Sequence, residues 1–132
     1  MHNFLKEPTW AVVGATTRTE KVGHTIFATL RQQGYQVYPV HPKYTAIDGV
    51  TCYPSVTALP VVPQVVDVVV PPDQTLMVLK ECAEKGIRKI WMQPGTQDDR
   101  CLQLAETLDL EVVHNACVLI ALREGLHRTP VQ

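Results

Sequence analysis

Short apolar runs alternate along the chain with longer stretches in which apolar positions recur at helical spacing. The apolar runs predict β-strands, and the third of them, from Val65 to Val70, is apolar at every position except Asp67. A strand that is apolar on both faces is typical of a parallel sheet buried between helices. The five predicted strands cover residues 9–14, 35–40, 65–70, 88–93 and 110–113.

The stretches between these runs predict helices. In the first, the apolar residues from Val22 to Leu30 fall on one face, and Gly34 stands where a glycine commonly follows a helix. Thr96 and Asp99 have the spacing of a capping-box variant at the start of a later helix. The predicted helices cover residues 22–33, 73–85, 96–108 and 116–124, with a short one at 55–59.

This alternation predicts an α/β fold, in which a parallel sheet carries helices on both faces. Because crossover connections between parallel strands are right-handed, few strand orders remain. Among these we expect a Rossmann-like, doubly wound sheet of about five strands in the order 3-2-1-4-5, as a single domain over residues 1–132. Ligands bind such sheets outside the carboxyl ends of the strands, so the residues after each strand are the candidates for a site.

Composition narrows the class of protein. The chain has 132 residues with 12 Lys and Arg against 13 Asp and Glu, and this balance argues against a general nucleic-acid binder. No apolar run approaches the roughly 20 residues of a membrane span, and the first six residues are too short and polar for a signal peptide. Four scattered cysteines predict free thiols and no metal site. We therefore expect a cytoplasmic protein.

The loop after the first strand is rich in hydrogen-bond donors. It is not a G-x-G-x-x-G motif, but its small residues let the backbone approach a ligand, and the helix that follows offers free N–H groups to a phosphate. The alternative is a strand-to-helix turn that needs glycine only for packing. The candidate phosphate contacts are Gly14, Ala15, Thr16, Thr17, Arg18, Lys21, Val22 and Gly23.

The end of the second strand distinguishes between nucleotides. An NAD site needs a carboxylate here to accept from the ribose hydroxyls, but this chain has His41, Pro42 and Lys43, and no carboxylate before Asp48. Lys43 would attract a phosphate carried on the ribose. The segment therefore favours NADP or coenzyme A over NAD, unless Lys43 is a solvated loop residue.

Three further strand ends complete the predicted crevice. The third strand ends in a rigid apolar segment that suits a flat base or a ribose, or that simply stops the strand. The fourth ends in a Pro-Gly turn, and the fifth is followed by an asparagine that we expect to cap a helix. The candidate contacts in these segments are Val70, Pro71, Pro72, Met92, Gln93, Pro94, Gly95 and Asn115.

As an ordered set, these motifs resemble the small CoA-binding proteins of the YccU type. That family is similar to the N-terminal CoA-binding domain of the succinyl-CoA synthetase α subunit. The resemblance extends from about Thr9 to Arg123. The motifs that carry it are Val13-Gly14-Ala15-Thr16, Pro39-Val40-His41-Pro42-Lys43, Cys52-Tyr53-Pro54-Ser55, Trp91-Met92-Gln93-Pro94-Gly95 and Asn115-Ala116-Cys117.

The resemblance implies a Rossmann-like fold in which the loop from Gly14 to Gly23 holds the phosphates of CoA. It also implies that Lys43 meets the 3′-phosphoadenosine end, and that Val70-Pro71-Pro72 packs near the adenosine or the pantetheine. The turn from Met92 to Gly95 would border the pantetheine arm. The chain departs from the family at His41, where asparagine is common, and between Thr16 and Val22.

No catalytic constellation emerges from the sequence. Cys117, near a predicted helix N-terminus, is the one candidate nucleophile, and a small core residue is the alternative reading. We expect a non-catalytic carrier, sensor or partner module that binds CoA or an acyl-CoA and contacts neither nucleic acid nor a membrane, with a homodimer left open. The alternatives are an NADP-linked oxidoreductase and a protein-interaction module with a vestigial nucleotide site.

Overall fold

Seven strands lie within residues 3–125, the part of the chain described by the structure, a computed structural model. They are β1 (Thr9–Val13), β2 (Gln36–Val40), β3 (Ala46–Ile47), β4 (Val50–Thr51), β5 (Val65–Val68), β6 (Lys89–Met92) and β7 (Glu111–Val113). Five of them pair in parallel in the order β2-β1-β5-β6-β7, and β3 and β4 form a separate antiparallel hairpin. The predicted α/β fold with a doubly wound parallel sheet is confirmed.

The predicted strand order is recovered with one change of assignment. β5 pairs with β1, and the outer side of β2 carries an isolated parallel bridge between Val40 and Tyr53. When the Tyr53 segment counts as the third strand, the order reads 3-2-1-4-5-6, and the strand that begins at Val65 takes the fourth place and not the third. A bridge of one residue leaves no apolar run, so the sequence pattern could not reveal it.

Helices cover both faces of the sheet, as predicted. The helices are α1 (Val22–Gln32), α2 (Pro72–Lys85), α3 (Asp99–Thr107) and α4 (Val118–Gly125). α1 and α4 pack over the face that carries Trp10, Val12 and Trp91, whereas α2 and α3 pack over the opposite face. None of the helices within residues 3–125 is both long enough and apolar enough to cross a membrane.

Three local predictions about helices were wrong. The segment 55–59 forms a turn, closed by the bond from Leu59 N to Val56 O at 3.1 Å, and not a helix. The N-cap of α3 is Asp98, which accepts from Cys101 N, while Thr96 donates to Gln93 O. Asn115 does not cap α4, which starts three residues later.

Candidate functional site

Two adjoining cavities open at the carboxyl ends of β1, β2 and β5. One, which we call the loop cavity, measures about 330 Å³ and lies beside the start of α1. The other, which we call the apolar cleft, measures about 520 Å³ and lies beside α2. Both volumes fall in the usual range of ligand sites, about 300–1,000 Å³. The two cavities share Gly14, His41, Lys43 and Val69, so they form one continuous groove across the edge of the sheet.

Two glycines allow the backbone to pack closely at the base of the loop cavity. Gly14 has φ +106°, and a Cβ built there would lie 2.6 Å from Val69 O. A Cβ on Gly23 would lie 2.2 Å from Gly14 O. The start of α1 therefore packs directly against the end of β1, which only glycine at both positions permits.

The loop cavity is positively charged. Arg18, Lys21 and Lys43 line it, and all three are exposed. Arg18 is paired with Glu20 at 2.7 Å, but neither Lys21 nor Lys43 forms an ion pair with any residue between 3 and 125. Within the described residues, no side chain caps the N-terminus of α1. Free N–H groups at a helix start, together with unpaired cations, favour an anion.

Hydrogen bonds fix the shape of the loop and of the segment opposite. Thr16 Oγ1 lies 2.9 Å from the hydroxyl of Tyr44 and accepts from Arg18 N at 3.2 Å. The bond with Thr16 lowers the pKa of Tyr44. Lys43 N donates to His41 Nδ1 at 3.0 Å. Burial, with a contribution from the nearby Lys43 charge, lowers the pKa of His41, which favours the neutral ring that this bond requires.

The apolar cleft has mostly hydrocarbon walls. Val40, Val56, Val70, Met77 and Val78 line it, and the turn at residues 54–59 closes one side. Two side chains of α2 hold that turn. Glu81 Oε1 accepts from Val56 N at 3.1 Å, and the Lys85 ammonium donates to Leu59 O at 2.9 Å. The cleft is therefore a preformed apolar slot with few polar groups.

Most of the residues proposed from the loop and the second strand meet in this groove. Ala15 is buried in the core beneath the loop, Thr17 is exposed in the same loop, and Pro72 is the first residue of α2. The predicted site residues that line one or both cavities are Gly14, Thr16, Arg18, Lys21, Val22, Gly23, His41, Pro42, Lys43, Val70 and Pro71.

The residues proposed after the fourth and fifth strands lie elsewhere. Met92 is fully buried, and the Gln93 side chain accepts from Val118 N at 3.1 Å and donates to Cys117 Sγ at 3.4 Å. Pro94, Gly95 and Asn115 are exposed. None of the five lines either of these two cavities, and their contact with a ligand stays a prediction.

Several residues of the groove were not predicted from the sequence. Tyr44 directly follows Lys43, and Val69 directly precedes the proposed Val70, so both were adjacent to a recognised segment. Gln74, Met77, Val78 and Glu81 come from α2. Their i, i+3, i+4, i+7 spacing, on a face that includes an exposed methionine, was the one available signal.

One acidic side chain lies in the core, on the strand between the groove and the ends of β6 and β7. Asp67, on β5, is fully buried, and neither of its carboxyl oxygens has a hydrogen-bond partner among residues 3–125. Burial raises the pKa of Asp67 well above its usual value, and the nearby Cys117 acts in the same direction. Burial therefore favours the neutral form of Asp67 in the folded protein.

The sheet defines the chain as a Rossmann-like domain, and the groove lies at the point where the winding of the sheet reverses, which is where such sheets bind ligands. Comparison with known proteins identifies the family. Residues 8–123 match the model of the CoA-binding domain family, and the chain belongs to that family.

Relatives of two kinds are similar to this chain. It is 30% identical over 118 residues to the ADP-forming acetate–CoA ligase I of Archaeoglobus fulgidus, an alignment that covers 82% of this chain but 17% of the ligase. A solved structure of a hypothetical protein from Pyrococcus horikoshii is 32% identical with a TM-score of 0.88, covering 92% of this chain and 86% of that one. The uncharacterised protein YneT of Bacillus subtilis is 24% identical over 111 residues, covering 84% and 82%. The chain thus spans under a fifth of the curated ligase.

Proposed function

We propose that this chain binds coenzyme A or an acyl-CoA along the groove formed by the loop cavity and the apolar cleft. The observation that carries the proposal is the position of Lys43, an unpaired cation on the border that the two cavities share. In CoA the ribose 3′-phosphate stands between the base and the pyrophosphate. A cation between an apolar slot and an anion-binding loop matches that order of groups.

The donors of the loop cavity fit a pyrophosphate. Lys21 and Arg18 supply charge, the start of α1 supplies free N–H groups, and Gly14 with Gly23 brings the backbone close. Glu20 neutralises part of the Arg18 charge. We therefore assign more of the phosphate binding to Lys21 than to Arg18.

The structure also supports CoA over NAD. The first carboxylate after β2, Asp48, lies 2.8 Å from His24 Nε2 and is engaged in that pair. Asp48 lines neither cavity, whereas an NAD site requires a carboxylate that accepts from the ribose hydroxyls. Among the residues that line the groove, the end of β2 thus offers a cation and no carboxylate.

For the pantetheine arm we propose a course from the loop cavity towards Pro94, Gly95 and Asn115. These residues are exposed beyond the carboxyl ends of β6 and β7. We propose that the chain acts as a binding module, a carrier, sensor or partner subunit, and not as a complete enzyme. The similarity to the acetate–CoA ligase supports a binding module, because it covers only 17% of the ligase, and residues 8–123 of this chain match the CoA-binding domain family.

Calorimetric titration tests the proposal. Ligand-stripped protein is titrated with CoA, dephospho-CoA, NADP and NAD side by side. Tightest binding of CoA, weakened when the 3′-phosphate is missing, is the expected result. A preference for NADP would favour the oxidoreductase alternative, and no binding of any of the four would favour the vestigial site.

A further inference from the structure

We infer that Glu81 recognises the adenine base by accepting a hydrogen bond from its amino group in the apolar cleft. This inference rests on the proposed binding of CoA, and it assigns the adenine base of that ligand to the apolar cleft.

Glu81 has one free oxygen. Its Oε1 accepts from Val56 N at 3.1 Å, whereas Oε2 accepts no hydrogen bond from any residue between 3 and 125. The side chain is half-buried beside Val56, Met77 and Val78, where water gives it less compensation than on an open surface. An ionised carboxylate can only accept hydrogen bonds. A donor on the ligand would therefore satisfy Oε2.

The position of this oxygen is fixed. The bond from Val56 N holds the carboxylate on the side of the turn at 54–59, and the Lys85 ammonium fastens the same turn through Thr57 O and Leu59 O. The other polar side chains of the cleft are less suited to this task. Ser55 Oγ already accepts from Ala58 N, and Gln74 is exposed.

The group at position 6 of the base distinguishes adenine from guanine and hypoxanthine. Adenine carries an amino group at position 6, which donates, whereas guanine and hypoxanthine carry a carbonyl oxygen there, which accepts. A carboxylate opposite that carbonyl leaves two acceptors facing each other. Sites built to hydrogen-bond a donor discriminate strongly against an analogue that lacks it.

The simpler reading is that Glu81 only holds the turn at 54–59. That reading predicts no dependence on the base, because the bond to Val56 N is made with or without a ligand. The two readings therefore differ in a measurable quantity, the ratio of affinities for adenine and hypoxanthine forms of the same ligand.

The experiment compares CoA with its hypoxanthine analogue, in which a carbonyl replaces the amino group, by calorimetry. Wild-type protein is expected to bind CoA about tenfold more tightly than the analogue, as one hydrogen bond to a charged group would give. In Glu81→Gln an amide oxygen can still accept from Val56 N, and the NH2 group then faces the ligand as a donor. We expect the ratio to fall to about one or to reverse in favour of the analogue.

Glu84→Gln is the matched control, because Glu84 is exposed on the same helix and does not line the cleft. It should leave the ratio unchanged. Equal affinities of wild type for the two ligands, or the same ratio in Glu81→Gln as in wild type, would overturn the inference and leave CoA binding intact. No binding of CoA to wild type would overturn the proposed function and the inference together. If Glu81→Gln fails to fold, the wild-type ratio alone decides.

Discussion

The carboxyl edge of the sheet has an open half and a closed half. At the ends of β1, β2 and β5 the chain leaves a groove with unpaired cations and an uncapped helix start. At the ends of β6 and β7 several polar groups bond to one another. Gln93 bonds to Val118 N and Cys117, and Trp91 Nε1 donates to Ala116 O at 2.9 Å.

The difference shows that a polar residue at a strand end is not by itself a binding group. Gln93 and Lys43 occupy similar places in the topology, one shortly after β6 and the other shortly after β2. The amide of Gln93 attaches α4, whereas the ammonium of Lys43 forms no ion pair with any residue between 3 and 125. What separates the two halves is whether the hydrogen-bonding capacity is already taken within the fold.

The largest effect on stability is expected from a side chain placed where two backbone segments of the open half pack closely. Gly14→Ala places a Cβ 2.6 Å from Val69 O at a φ of +106°, so both a clash and strain arise. We expect a loss of at least about 3 kcal/mol in the free energy of unfolding, measured by urea denaturation. Gly34→Ala is the control, because Gly34 has φ +94° with nothing within 4 Å. Its free energy of unfolding should fall by only about 1–2 kcal/mol, the cost of a left-handed backbone conformation for alanine.

Equal losses in the two alanine variants would mean that strain alone matters at Gly14. The close contact between β1, Val69 and α1 would then not be needed to shape the open half.

Removing the charge on the border of the two cavities tests the open half directly. Lys43→Ala should weaken CoA binding by about 2 kcal/mol, or about 30-fold, because a bond to a charged group is lost. Dephospho-CoA, measured in the same calorimetric series, should bind almost as it does to wild type. Lys80→Ala removes an exposed lysine of α2 that lines neither cavity, and should change neither affinity. An equal loss for both ligands would contradict the assignment of Lys43 to the 3′-phosphate.

Within residues 3–125, periodicity was enough to predict the five strands of the parallel sheet, the four helices that cover it and the doubly wound fold. The strand from Val65 to Val68 is apolar apart from Asp67, and α1 starts at the predicted Val22. The missing elements were the β3–β4 hairpin and the bridge at Tyr53, which are too short to carry a pattern. The boundary of α3 differed because Thr96 donates to Gln93 O in the preceding turn, and α4 begins at Val118 and not at Ala116.

The site was predictable only where one segment supplies several groups. The loop from Gly14 to Gly23 and the segment after β2 were found because their residues are consecutive. Glu81 and Met77 reach the cleft from α2, far from β1 in the chain, so only the folded structure brings them to it. The closure of the other half depends on a bond between Gln93 and Val118, which are 25 residues apart.

Opening the closed half is expected to have an intermediate effect. Gln93→Met removes the acceptor of Val118 N, and a buried N–H left unpaired costs about 1–3 kcal/mol. We expect about 1.5 kcal/mol less unfolding free energy, measured by urea denaturation, while CoA affinity changes less than about threefold. Gln103→Met, on the exposed side of α3, should change neither quantity. A large loss of CoA affinity with unchanged stability would place the Gln93 amide on the ligand.

The smallest net effect at neutral pH is expected at Asp67, which lies in the core between the two halves. Because burial raises the pKa of Asp67 above its ordinary value of 3.8, the folded state binds its proton more tightly than the unfolded state. Near pH 4 this difference in proton binding changes the free energy of unfolding little. As the pH rises above that value, the unfolded chain ionises while the folded chain does not, so stability falls with pH until the raised pKa is reached.

Asp67→Asn removes this pH dependence, since an amide does not titrate. Its buried NH2 group adds one unpaired donor, which offsets part of the gain. We expect the variant to melt at or slightly below the wild-type temperature near pH 4 and a few degrees above it near pH 8, measured by calorimetry across the series. Asp109→Asn changes the same charge at an exposed position and should keep a constant difference from wild type. A constant difference for Asp67→Asn as well would mean that Asp67 is ionised in the fold, and that a group able to hold its charge faces it at the border between the open and closed halves.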